Sequence, residues 1–140
     1  MTDVEQLIQR VRDTHHGFTA IRHAADELNE RPAKERLALA QTLYASTVPQ
    51  ARMLGTFLLG NLAVQSALSL RLLRERVSGD ADWRVQEILA QAFDCYCRDT
   101  GYAASLPVIR AWLADKRPTV RRAVTEGLRI WTARPCFHEH

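Results

Sequence analysis

Turn-forming residues are scarce in this chain of 140 residues: glycine occurs six times and proline five. The many tight turns of a sandwich or a barrel need more of both, so an all-β architecture is excluded at the outset. Cysteine is also sparse. Cys95, Cys97 and Cys136 make an odd count with no disulfide framework, which fits a reduced, cytoplasmic protein. No apolar run reaches the roughly 18 residues of a membrane span. The richest stretch, Met53 to Leu73, is broken by Asn61, Gln65, Ser66, Ser69 and Arg71. The first ten residues are acidic and amphipathic and read as a helix rather than a signal peptide. A glycine-rich phosphate loop and a Ser- or Cys-based nucleophile signature are both missing. Cys95-Tyr96-Cys97 has no second ligand pair, and Cys136 to His140 forms a terminal tail, so neither reads as a metal site. No cofactor is expected.

What the chain does contain is charge and helical periodicity. There are 19 basic and 16 acidic side chains, a net charge of +3, and all but Lys34 and Lys116 of the cations are arginine. The planar guanidinium fork suits phosphate and carboxylate. Residues 1–82 are balanced at ten of each sign, whereas residues 83–140 carry nine basic and six acidic groups. The excess therefore lies in the second part, where an acidic partner is to be sought.

Apolar residues recur at three- and four-residue spacings throughout. Leu7, Ile8 and Val11 form one face, and Phe18, Ile21, Ala25 and Leu28 a second. Pro32 and Pro49 each open a helix, and a fifth helix is predicted over about 62–77. Asp80 or Asp82 is the predicted N-cap of a sixth over 83–99, stopped by Gly101. A seventh follows over 103–114, and an eighth opens at Pro118 and runs to about residue 132. Short connections join them all.

A repeat underlies these helices. Pro49-Gln50-Ala51-Arg52, Trp83-Arg84-Val85-Gln86 and Pro118-Thr119-Val120-Arg121 align with Ala51, Val85 and Val120 level, at spacings of 34 and 35 residues. Leu59, Phe93 and Leu128 then coincide. Each unit is a helix pair, which predicts an all-α, HEAT-like solenoid of stacked antiparallel pairs forming one domain over 1–140. A plain helical bundle is the alternative architecture. The last repeat has no visible cap, so the expectation is an array that lacks C-terminal repeats or that pairs with a second copy there.

One constellation carries chemistry. Trp83 and Glu87 are four residues apart, so they share a helix face. Arg122 lies 35 residues after Glu87, in the same position of the next repeat. Neighbouring repeat helices run about 8–10 Å apart, which directs all three side chains to one groove. Taken singly, Trp83 reads as a packing aromatic and Glu87 and Arg122 as solvated charges; their joint spacing is what marks a site. Arg117, Arg121, Arg122, Arg129 and Arg134, extended by Arg84 and Arg110, are candidates for a phosphate-tracking stripe. Arg122 and Arg129 share a face, while Arg121 points about 100° away.

These residues resemble the AlkD-like DNA alkylation repair glycosylases, which are HEAT-like repeat proteins. That family places a Trp four residues before a catalytic Asp, and a catalytic Arg one repeat later. Trp83-Arg84-Val85-Gln86-Glu87 is similar to the first element, with Glu87 in place of Asp, and Arg122-Ala123-Val124 to the second. The similarity is best over residues 82–134. It implies a protein that binds double-stranded DNA and acts as an N-glycosylase excising cationic N3- or N7-alkylated bases. In it Glu87 stabilises the sugar cation, Arg122 holds a phosphate and Trp83 packs on the sugar. The arginine stripe read from the sequence, Arg84, Arg117, Arg121 and Arg129, supplies the expected DNA contacts. A further aromatic of the family has no counterpart before His140. The alternative is a non-catalytic HEAT-repeat scaffold that binds protein or DNA through its concave face.

Overall fold

The computed structural model describes residues 2–133. Eight α-helices and no strand occur among them: α1 (Asp3–Arg12), α2 (Thr19–Leu28), α3 (Ala33–Tyr44), α4 (Pro49–Leu62), α5 (Ala67–Glu75), α6 (Trp83–Thr100), α7 (Tyr102–Leu113) and α8 (Pro118–Thr132). A single 3₁₀ turn, Val77–Gly79, precedes α6. The expected fold class is thus observed. The fifth helix starts later than its apolar pattern predicts. Leu62 ends α4, the chain turns over 63–66, and the Ser66 hydroxyl accepts the Ser69 N–H to cap α5.

Local chemistry explains the helix starts. Thr2 and Glu5 form a reciprocal capping box on α1. Pro49 and Pro118 occupy first-turn positions, where a missing N–H costs nothing. Asp82 caps α6 through the Arg84 N–H, and Gly101, with φ 94°, ends it in a conformation closed to other residues.

The even-numbered helices form the spine. α6 packs between α4 and α8, and α2 lies against the far side of α4. Ala51, Val85 and Val120 are all fully buried, as are Leu59 and Phe93. Leu128, level with them in the repeat, is only partly covered. α4 receives α1, α2, α3, α5 and α6, which accounts for its nearly continuous apolar sequence. Two glycines set the spacing of the spine. A Cβ on Gly60 would stand 2.6 Å from Ala92 Cβ, and one on Gly127 would stand 2.9 Å from the Ala90 carbonyl oxygen. The backbones of α4 and α8 therefore approach α6 about as closely as helices can.

Each repeat is also tied at its loop by the same two devices. Ser46 Oγ, Asp80 Oδ1 and Asp115 Oδ1 each accept the backbone N–H two residues on, at 3.0, 2.9 and 2.9 Å. This turns the chain into the next inner helix. Arg52, Gln86 and Arg121, level in the repeat, then reach back to the loop carbonyls: Ser46 and Thr47, Val77, Ser78 and Asp80, and Asp115 and Lys116, respectively. Asp80 additionally accepts from Tyr44 and Arg52 and is almost fully enclosed.

Two carboxylates at the loops, Asp82 and Asp115, are held below their ordinary pKa. Hydrogen bonds from Arg84 do this to Asp82, and those from Arg117, with its backbone N–H, do it to Asp115. A lowered folded-state pKa means that the unfolded chain binds more protons as the pH falls. Stability is therefore full above the unfolded carboxylate value of about 4 and is lost progressively below it. The melting temperature should be flat from pH 7 to 5 and should fall steeply between pH 4 and 2. Asp115→Asn should flatten that fall, and an unchanged pH profile in this variant would contradict the assignment to Asp115.

Candidate nucleic-acid interface

Repeat register determines which side chains meet in the groove. Positions 53, 87 and 122 are level, and here the spine presents Met53, Glu87 and Arg122. One turn further on, at 57, 91 and 126, it presents Phe57, Gln91 and Glu126. Met53 is buried, so the first charged pair of the face is Glu87 with Arg122. Arg122 Nη2 donates to Glu87 Oε1 at 2.6 Å, joining α8 to α6. Both side chains keep substantial exposure, 37% for Glu87 and 46% for Arg122, so the pair can meet a ligand without unfolding anything. Trp83 stands one turn before Glu87 at the first position of α6 and is 67% exposed. A large apolar ring this open contributes little to the core and is available to stack.

A groove continues from this pair. A cleft of about 260 Å³ is lined by Glu87, Ala90, Gln91, Glu126, Arg129 and Ile130. Gln91 and Ile130 also border a larger cleft of about 410 Å³, which runs past Arg98 and Asn61 to Arg22 and Asp26 of α2. Arg22 donates to Gln91 and lies 5.5 Å above the Phe57 ring. The two clefts share Gln91 and Ile130 and between them border all four even-numbered helices.

The remaining candidate cations occupy other settings. Arg84 grips the Asp82 carboxylate with Nε and Nη2 at 3.1 and 2.9 Å. Arg117 does the same to Asp115 at 2.9 and 2.8 Å and also reaches Glu75 at 3.2 Å. Arg121 is turned back onto the loop carbonyls. Arg129 is the most open, 76% exposed, and pairs with Glu126 at 3.0 Å. Glu87 and Arg122 are therefore brought together and Arg129 lies along the same groove, whereas Arg84, Arg117 and Arg121 are engaged at the repeat loops. Arg134 lies outside the described residues. The groove is mixed in charge rather than uniformly basic.

Thiol chemistry has no foothold on this face. Burial pushes Cys95 up to about 12 and Cys97 to about 11, so neither supplies a thiolate at neutral pH. Among the described residues no cluster of His, Cys, Asp or Glu could hold a metal ion, and no helix is long and apolar enough to cross a membrane.

The whole arrangement has close structural counterparts. The crystal structure of AlkD2 from Streptococcus mutans superposes with a TM-score of 0.90 at 41% identity, over 97% of this chain and 66% of that one. That of smu.31 from Streptococcus mutans UA159 superposes with a TM-score of 0.85 at 38% identity, over 98% of this chain and 68% of that one. The chain belongs to the AlkD-like DNA alkylation repair family. It spans about two thirds of the length of these two AlkD-like proteins. No family model and no curated protein matches the sequence.

The contact between Glu87 and Arg122 was legible because a repeat converts sequence spacing into neighbourhood. Gln91 and Glu126 were missed there. The signal that finds them is the same register carried one helical turn further, since each lies four residues beyond a member of the pair.

Proposed function

We propose that this chain binds double-stranded DNA along the groove of α2, α4, α6 and α8 and acts as an N-glycosylase on cationic N3- or N7-alkylated bases. The Glu87–Arg122 ion pair, with exposed Trp83 one turn away, carries the proposal. A cationic base leaves neutral, so no acid is needed to protonate it. Positive charge develops instead on the deoxyribose, and a fixed carboxylate stabilises it more than it stabilises the ground state. Glu87 serves that role. Arg122 spends only one nitrogen on Glu87, so the rest of its fork can hold the neighbouring phosphate. Trp83 offers its electron-rich face to the sugar. No step requires a metal or a cofactor.

A second reading, a non-catalytic scaffold that binds protein or DNA through this face, is favoured by one observation. Arg84, Arg117 and Arg121 are each taken up at the repeat loops, so the groove carries fewer cations than the sequence suggested. Two measurements separate the readings. Released base is measured after incubation with duplex DNA containing N7-methylguanine; release no faster than the spontaneous rate rejects the glycosylase. Binding of unmodified duplex is then titrated at two salt concentrations. Four phosphate contacts, from Arg22, Arg98, Arg122 and Arg129, correspond to a log–log slope of about −3.6, or about a hundredfold loss between 50 and 200 mM salt. Binding insensitive to salt would reject a phosphate-tracking groove.

A further inference from the structure

The last helix pair carries apolar surface of the kind that the preceding repeats cover. Leu59 and Phe93 are 1% and 0% exposed, and Phe93 lies under Trp112 of α7 and Gly127 of α8. Leu128 occupies the same register and is only partly covered. Among the described residues α7 and α8 pack chiefly on α6 and on each other, which leaves their far side open.

That side is apolar on both helices. Tyr102, Leu106 and Leu113 follow one another at four and seven residues, so they form one stripe along α7. Tyr102 is 44% and Leu113 41% exposed. α7 carries one charged residue, Arg110, whereas α1, α3 and α5 carry four, three and three. On α8, Thr125, Leu128 and Thr132 form a second, uncharged stripe. The Tyr102 ring packs on Trp131 at 4.8 Å and joins the two helices at this edge. Arg121, two turns before Leu128, is turned back onto the loop carbonyls and adds no free charge here.

We propose that the α7–α8 end is a homodimer interface, in which two copies cover each other's Tyr102, Leu113 and Leu128. The face is its own complement. Tyr102 and Leu113 lie at opposite ends of α7, equally far from its middle at 107–108. A two-fold axis there runs the two α7 helices antiparallel and sets Tyr102 of each copy beside Leu113 of the other. Arg110 lies off the axis, so the two guanidinium groups do not oppose each other. Two helices about 20 Å long and about 10–12 Å across present about 400 Å² in projection, and more once the relief of the side chains is followed. That approaches the roughly 800 Å² per partner of a stable dimer. Arg122 and Arg129 lie about 100–120° round α8 from Leu128, so the groove stays open and the dimer does not depend on the DNA reading.

The test is the mass of the 140-residue chain in solution. In sedimentation equilibrium across the micromolar range, the average mass should rise from 15.9 kDa toward twice that value. Leu113→Glu on α7 and Thr125→Glu on α8 change exposed positions, so each should keep the wild-type melting curve at low concentration. Each should weaken association about a hundredfold or more, because every dimer would then bury two unpaired carboxylates. Ala67→Glu makes the same charge change at an exposed position of α5 and should leave association unaltered. A wild-type protein that stays at 15.9 kDa throughout, or a dimer that persists in either the α7 or the α8 variant, overturns the interface.

Discussion

Glu87→Gln is expected to slow release of N7-methylguanine from duplex DNA by about 10²–10³-fold, the cost of removing one preorganised electrostatic stabiliser of a transition state. The amide has the shape of the acid and can still accept from Arg122 Nη2, so the groove keeps its geometry. Only the negative charge beneath the developing sugar cation disappears. The loss should therefore appear in the single-turnover rate, with duplex affinity unchanged or improved, because one carboxylate has been taken from a polyanion-binding face. Glu87→Asp keeps the charge but shortens the reach by one methylene, and it should retain more activity than Glu87→Gln. Arg122→Ala removes both the phosphate contact and the 2.6 Å bond that orients Glu87, so it should impair affinity and rate together. The two residues act as a unit, and the double variant should be little worse than the poorer single one. A Glu87→Gln protein as fast as wild type would remove Glu87 from the chemistry whatever the fate of Arg122.

The fold was legible because its signals are redundant. Helical spacing, Pro49 and Pro118 at first turns, Gly101 past the end of α6 and the repeat alignment at Ala51, Val85 and Val120 all agree. Consistency of that kind is what specifies a single structure. The start of α5 was misread because Leu62 and Ala63 prolong the apolar pattern across a turn, where the deciding group is the Ser66 hydroxyl rather than hydrophobicity. Half of the proposed arginine stripe was out of reach for a different reason. Spacing places a Cα on a helix face, but Arg84 and Arg117 each lie two residues after an aspartate whose turn geometry captures the guanidinium. Arg121 shares its register with Arg52 and Gln86, and the carbonyls left open at each loop attract a donor there. In this protein, Arg52, Gln86 and Arg121 at the first turn of the even-numbered helices satisfy the loops, and Glu87, Gln91, Glu126 and Arg129 further on line the groove.

That division of labour depends on the helices of the spine staying close, and Gly60 is where closeness is most exposed to change. Gly60→Val is expected to destabilise the protein by about 3 kcal/mol or more, at the upper end of overpacking costs. A Cβ alone would meet Ala92 Cβ at 2.6 Å and Ala92 Cα at 2.8 Å, and the Cα belongs to backbone that no rotamer change can move. Helix propensity points the other way, since valine and alanine both favour a helix interior over glycine by up to about 1 kcal/mol. The sign of the effect therefore distinguishes the close approach from local backbone preference. Gly60→Ala should also destabilise, by less, and Ala92→Gly should restore part of that loss by removing one of the two clashing atoms. The restoration is partial because the Ala92 Cα remains and glycine weakens α6. The consequence extends to the groove, for Gly60 and Ala92 both border the 410 Å³ cleft. Forcing α4 from α6 should loosen Gln91 from Arg22 and weaken duplex binding, while the Glu87–Arg122 pair, held between α6 and α8, persists. Chemical denaturation of the three variants measures the first effect, and duplex titration under conditions where each remains folded measures the second. A Gly60→Ala protein more stable than wild type would mean that α4 and α6 are not in backbone contact here.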